Sequence, residues 1–203
     1  MDLVGFSIKV EGLSPQEICD YLRPFLSGVI DEASNRPALV DKTIGDEVMF
    51  IVPDMEQDGG PPGVLGMGSL LGGLHDLQRK LGIEYSFRIG LSYGALYVDL
   101  IKGSGYSEWT VVGESVNLAK RLQTLPGVEP KDGIGGAFGV LVKETDENKF
   151  KVILEIIAGF GARMIHSVVE GTVELKGISS ARCAILYPKV PSSEWKPQKE
   201  INS

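Results

Sequence analysis

Apolar side chains recur at Ile18, Tyr21, Leu22, Phe25, Leu26, Val29 and Ile30. That is the three-to-four spacing of an amphipathic helix. Its start is spelled Ser14-Pro15-Gln16-Glu17. Ser14 can cap, Pro15 suits the first helical position and Glu17 completes a capping box, so a helix of about five turns is predicted. The same period returns at Leu70, Leu71, Leu74, Leu77 and Leu81, with Gly82 as a stop. A third helix is predicted over about 114–123.

Strand patterns lie between the helices. Residues 2–8 read as a strand end entering a glycine-containing loop. Residues 39–42 and 47–52 read as two strands around a tight turn at Ile44-Gly45-Asp46. Residues 85–92 and 95–100 flank Tyr93-Gly94, and 102–108 read as a polar turn. The Gly/Pro-rich segment 56–68 reads as a loop. Later strands are expected at 137–142, 173–176 and 181–187. The Val/Ile/Leu run 151–157 fits helix or strand. This order predicts an antiparallel-rich α+β sandwich with helices on one face.

Bulk properties narrow the class. The 203 residues suit one domain, with 43% hydrophobic and 23% charged positions. The expected division is a domain over 1–187 and a flexible tail over 188–203, rich in Pro, Ser and Lys. A net charge of −7 disfavours a nucleic-acid partner. The two cysteines, Cys19 and Cys183, read as buried thiols in a reducing compartment. His75 and His166 are far apart, and no Cys/His zinc spacing occurs. No signal-peptide pattern or membrane-length apolar run is present, so the expected location is cytoplasmic, without direct membrane insertion.

Three segments could carry chemistry. Asp2-Leu3-Val4-Gly5-Phe6-Ser7 places a carboxylate at a strand end before a turn whose N–H groups can cradle phosphate. Lys42-Thr43-Ile44-Gly45-Asp46 puts a second carboxylate at a hairpin tip. If the hairpin pairs with the first strand, Asp46 comes beside Asp2, and two such carboxylates suit divalent cations carrying a nucleotide. On the third helix Asn117 and Arg121, four apart, share a face next to Leu118 and Leu122. Each segment alone is also compatible with a solvated strand end, a generic Gly-Asp turn and an amphipathic helix.

Taken together and in order, these segments and Glu108-Trp109-Thr110-Val111-Val112-Gly113 resemble the motif set of class III adenylyl/guanylyl cyclase catalytic domains. Phe87-Arg88-Ile89-Gly90-Leu91-Ser92-Tyr93-Gly94 and Val173-Glu174-Leu175-Lys176-Gly177-Ile178 resemble two further family segments.

The resemblance implies a ferredoxin-like βαββαβ core with additional strands, working as a head-to-tail dimer, either a homodimer or a pair with a second cyclase domain. It implies conversion of ATP to 3′,5′-cyclic AMP and pyrophosphate, with two Mg²⁺ or Mn²⁺ ions per active site. Asp2, Asp46 and the Leu3 carbonyl would hold the metals. The backbone of Val4, Gly5, Phe6 and Ser7 would contact the triphosphate. Lys42 and Thr110 would select the purine, and Asn117 and Arg121 would orient the ribose and stabilise the transition state, all four acting in the partner's site. Lys42 offers only donors, which suits N1 of adenine rather than the N–H of guanine. Thr110 is similar to the subgroup linked to bicarbonate stimulation.

The chain also departs from the family pattern. Most of a central strand normally precedes the first aspartate, and only Met1 does so here, so Asp2 is expected to be poorly held unless residues lie upstream. Ile178 stands where a phosphate-contacting lysine is common, and 151–168 reads as an insertion. The alternatives are a catalytically weak or inactive nucleotide-binding module, a guanylate cyclase, or a diguanylate-cyclase type sharing the core fold.

Overall fold

In the computed structural model, residues 1–53, 63–130, 133–141, 147–160, 165–175 and 178–188 are described. The elements in order are β1 (Asp2–Leu3), α1 (Phe6–Lys9), α2 (Pro15–Ser34), β2 (Leu39–Ile44), β3 (Glu47–Ile51), α3 (Gly63–Leu81), β4 (Phe87–Tyr93), β5 (Tyr97–Gly103), β6 (Tyr106–Val112), α4 (Glu114–Gln123), β7 (Ile134–Leu141), α5 (Glu147–Phe160), β8 (Ile165–Leu175) and β9 (Ile178–Pro188).

The capping box at the start of α2 forms as the sequence predicts. Ser14 Oγ accepts from the Glu17 N–H, and Glu17 Oε2 accepts from the Ser14 N–H at 2.8 Å. Phe25, Val29 and Ala33 are buried along the inner stripe of the helix. Cys19 lies off that stripe and is exposed, which corrects the expectation of two buried thiols; Cys183 is buried.

Five strands form a sheet in the order β1-β4-β7-β9-β8, in which only β4 and β7 run parallel. Reciprocal 2.9 Å hydrogen bonds between Met1 and Val48 join the β2–β3 hairpin to β1. Across that junction the strands follow as β2-β3-β1-β4, so β1-α2-β2-β3-α3-β4 is a ferredoxin-like βαββαβ unit, and the remaining strands are additions to it.

Alternation along the strands divides the core in two. Phe87, Ile89, Leu91, Phe138, Val140, Ala184 and Leu186 join α2, α3 and α5 on one face. Ala137, Leu141, Ala181, Cys183 and Ile185 meet Leu118 and Leu122 of α4 on the other. Helices therefore cover both faces, where the sequence pattern placed them on one. Gly90 makes the second face accessible: a Cβ there would lie 1.8 Å from the Ala119 carbonyl oxygen. Only a glycine lets α4 approach β4 so closely.

Other differences are local. Helix α3 starts at Gly63, inside the predicted 56–68 loop, and residues 54–62 lie outside the described set. The 102–108 segment is not one turn: β5 runs to Gly103 and β6 starts at Tyr106, around Gly105 at φ +77°. The run 151–157 is helical, and α5 buries Phe150, Ile153, Leu154 and Ile157 in the main core. The apparent insertion is therefore largely a packing element. Apart from Pro188, the expected tail lies outside the described residues, as do Lys176 and Gly177. Among the described residues no helix is long and apolar enough to cross a membrane.

Candidate active site

The β2–β3 turn is built by Gly45, whose φ of +60° is a conformation that favours glycine. It presents Asp46 toward β1, where Asp46 Oδ2 accepts the Leu3 N–H at 3.0 Å. The hairpin carboxylate and the first strand thus meet across 43 residues of sequence. Burial pushes the Asp46 carboxyl up from its ordinary value. Its own N–H and that of Leu3 oppose the shift, and the nearby Asp2 and Glu47 charges add to it. The Asp2 charge is thus near enough to act on Asp46.

Asp2 is firmly held. Arg88, its cross-strand partner on β4, donates Nε–H to Oδ1 at 2.8 Å and a terminal N–H to Oδ2 at 3.2 Å. A second terminal nitrogen of Arg88 bonds Glu129. The Asp2 hydrogen bond and the surrounding carboxylates raise the guanidinium's pKa, against the opposing effect of burial. The short first strand predicts a poorly held Asp2 unless residues lie upstream; here the β1–β4 pairing and Arg88 hold it.

The donor set suits a hard divalent cation. The expected ligands, two carboxylates and the Leu3 carbonyl, are oxygen donors of the kind such an ion takes. A cation would relieve the repulsion that Asp2 adds at Asp46, but Arg88 holds both Asp2 oxygens and would have to give way. No group of three or more His, Cys, Asp or Glu side chains is arranged to hold a metal among the described residues. Coordination would rest on this pair, the carbonyl and the ligand's own oxygens.

In the phosphate-loop candidate, Gly5 at φ +68° caps α1. The Val4 N–H is engaged by the Ser86 carbonyl at 2.9 Å, so the expected donors reduce to Gly5, Phe6 and Ser7 at the start of α1.

Lys42 lies on β2, with its ammonium 3.8 Å from Glu108 Oε1 on β6. Glu108 and Thr110 are two apart on that strand and share a face, so Lys42 comes to the side of β6 that carries Thr110. On α4, Leu118 and Leu122 are fully buried while Asn117 and Arg121 are exposed. Among the described residues neither polar side chain makes a hydrogen bond or ion pair. Within one chain the predicted residues thus fall into three groups: Asp2 to Ser7 with Asp46; Lys42 with Thr110; and Asn117 with Arg121. Lys120 ties the last group to the hairpin through Glu47, at 2.5 Å.

Sequence reasoning gave Arg88, Glu108 and Lys120 no role. For Arg88 a signal existed: it is a charged residue between Phe87 and Ile89 on a strand buried on one side, and such a group needs a partner. The partner itself, 86 residues away, becomes visible only with the strand pairing.

No family model matches the chain. An adenylate cyclase of Anabaena cylindrica is 28% identical over 132 residues, 61% of this chain and 26% of that protein. The chain therefore spans about a quarter of the length of this relative. Two solved structures share the fold. The guanylyl cyclase Cya2 superposes with a TM-score of 0.60 at 20% identity, covering 95% of this chain and 91% of that one. The adenylyl cyclase CyaB from P. aeruginosa superposes with a TM-score of 0.60 at 19% identity, covering 94% and 92%. Adenylyl and guanylyl cyclases match the fold equally well, so nucleotide choice has to be argued from side chains. In sequence over part of its length, and in fold over nearly all of it, this chain resembles the class III adenylyl/guanylyl cyclase catalytic domains.

Proposed function

We propose that the chain is an adenylate cyclase domain that converts ATP to 3′,5′-cyclic AMP and pyrophosphate at sites formed between two chains. The observation that carries this is the Leu3 N–H bond to Asp46 at 3.0 Å, which sets a second carboxylate beside Asp2. Two divalent cations, Mg²⁺ or Mn²⁺, held by Asp2, Asp46 and the Leu3 carbonyl would acidify the ribose 3′-hydroxyl and neutralise the triphosphate. The N–H groups of Gly5, Phe6 and Ser7 face the phosphates. Asn117 orients the ribose, and Arg121 offsets charge that grows on the α-phosphoryl group as pyrophosphate leaves. The Lys42 ammonium donates to N1 of adenine beside Thr110.

Pairing of two chains is supported by what a single chain leaves open. Asn117 and Arg121 are exposed, and the β5–β6 ribbon exposes Tyr97, Ile101, Tyr106 and Trp109. An uncovered apolar surface of this kind suits an interface.

A second reading, a nucleotide-binding module with weak or no turnover, is favoured by the Arg88 guanidinium, which occupies both oxygens of Asp2. The deciding test incubates the chain at high concentration with ATP or GTP and Mn²⁺ or Mg²⁺, and identifies products by mass. Cyclic AMP, absent with Asp46→Asn and exceeding any cyclic GTP, is the expected result. Nucleotide binding without a cyclic product establishes the module instead.

A further inference from the structure

Lys42 sits between two carboxylates that the proposed chemistry does not use. Strand β2 carries a bulge at Asp41: Val40 pairs with Phe50 and Lys42 with Met49, leaving Asp41 without an opposite number. A bulge re-aims the side chains around it. Here it brings Asp41 Oδ2 to 3.4 Å from the Lys42 ammonium, although neighbours on a regular strand point to opposite faces. The Asp41 side chain is only 6% exposed, and its Oδ2 has no hydrogen-bond donor among the described residues. A buried carboxylate oxygen so placed needs a cation, and Lys42 supplies it.

On the other side, Glu108 Oε1 is 3.8 Å from the same ammonium, and Glu108 Oε2 accepts the Tyr106 hydroxyl. Tyr106 thereby fixes the carboxylate that faces Lys42. Glu108 shares its strand face with Thr110, so the group that restrains Lys42 is built into the strand carrying the other purine-facing residue.

We propose that Asp41 and Glu108 are positioning residues for Lys42, holding its ammonium in the plane where it meets a purine edge and so setting the preference for ATP over GTP. The inference rests on the adenylate cyclase reading. Its physical basis is the lysine stem: four flexible carbons let the ammonium wander unless fixed charges confine it. Neither carboxylate touches the nucleotide. The effect therefore falls on recognition rather than on the chemical step.

The test compares ATP and GTP kinetics in the wild type, Glu108→Gln, Glu108→Asp and Asp41→Asn. Glu108→Gln should raise KM for ATP about 2- to 5-fold, the range of a partly exposed ion pair, with kcat held. KM for GTP should not move, so the ATP:GTP ratio of kcat/KM falls by the same factor. Glu108→Asp should recover part of the loss, and Asp41→Asn should act in the same direction. If Asp41→Asn fails to fold, as a melting curve would reveal, the exposed Glu108 variants decide alone. An active wild type whose ATP:GTP ratio is indifferent to Glu108→Gln overturns the inference, and so does an equal loss of kcat with both nucleotides. A wild type that cyclises neither nucleotide overturns the cyclase reading itself and the inference with it, a result distinct from indifferent variants.

Discussion

Arg88 and Asp2 face each other across β1 and β4 in a forked pair, with bonds of 2.8 and 3.2 Å. Both side chains are mostly buried, at 20% and 16% exposure. The pair anchors a first strand of only two residues and neutralises a carboxylate beside Asp46. Removing the guanidinium leaves Asp2 uncompensated in a partly dry site. Arg88→Met should therefore lower unfolding stability by about 1.5–3 kcal/mol. Millimolar Mn²⁺ should recover more stability in the variant than in the wild type, because the cation replaces the lost charge. Thermal melts with and without the metal read this directly.

Asp46 has a defined pH signature. A carboxyl whose folded-state pKa lies above its unfolded value costs stability at pH above both values and nothing below both. Burial raises the Asp46 carboxyl. Asp46→Asn, which retains an acceptor for the Leu3 N–H, should be more stable than the wild type at pH 7. The gap should close as pH falls through the range of the folded carboxyl toward the ordinary value of 3.8. Denaturant titrations at pH 7 and at pH 4 measure it, and a gap that widens in acid would contradict the assignment.

Gly90 is a steric requirement for α4. A methyl group there would meet the Ala119 carbonyl oxygen at 1.8 Å and the Gln123 nitrogen at 2.7 Å, both rigid helix backbone. Gly90→Ala should cost about 3 kcal/mol or more, toward the upper end for overpacking. It should also misplace Asn117 and Arg121. Ser14→Ala, which removes the α2 cap far from the site, should cost about 1 kcal/mol without changing kcat.

Much of this fold is legible in the sequence where local signals agree. The capping box, the Gly45 turn and the Leu118/Leu122 stripe each have a local cause, and α2, the β2–β3 hairpin and α4 form where predicted. The misses share a tertiary cause. Helix α3 starts in a glycine-rich stretch because close packing needs small residues: a Cβ at Gly66 would lie 2.9 Å from Pro37. The β5–β6 ribbon exposes apolar residues on both strands, so no inside–outside alternation marked its turn. The candidate site was readable as residue types, but the Arg88 anchor and the Lys42–Glu108 contact depend on pairings between strands distant in sequence.

Lys42→Glu replaces the donor proposed to meet adenine N1 with an acceptor. Activity with ATP should fall at least about 10-fold in kcat/KM, as expected when a hydrogen-bonding recognition group is left mismatched, and relative use of GTP should rise. Unchanged ATP turnover would remove Lys42 from the purine site.

In the proposed dimer one active site takes its metal carboxylates from one chain and Arg121 from the other, and mixing Asp46→Asn with Arg121→Ala separates the two contributions. Each variant alone should be nearly inactive, with Arg121→Ala reduced about 10²–10³-fold. Mixed at equal concentration, they should recover about a quarter of the wild-type rate of cyclic AMP formation, since half of the two-fold dimers are mixed and each has one intact site of two. A mixture no more active than the sum of its two components would contradict the claim.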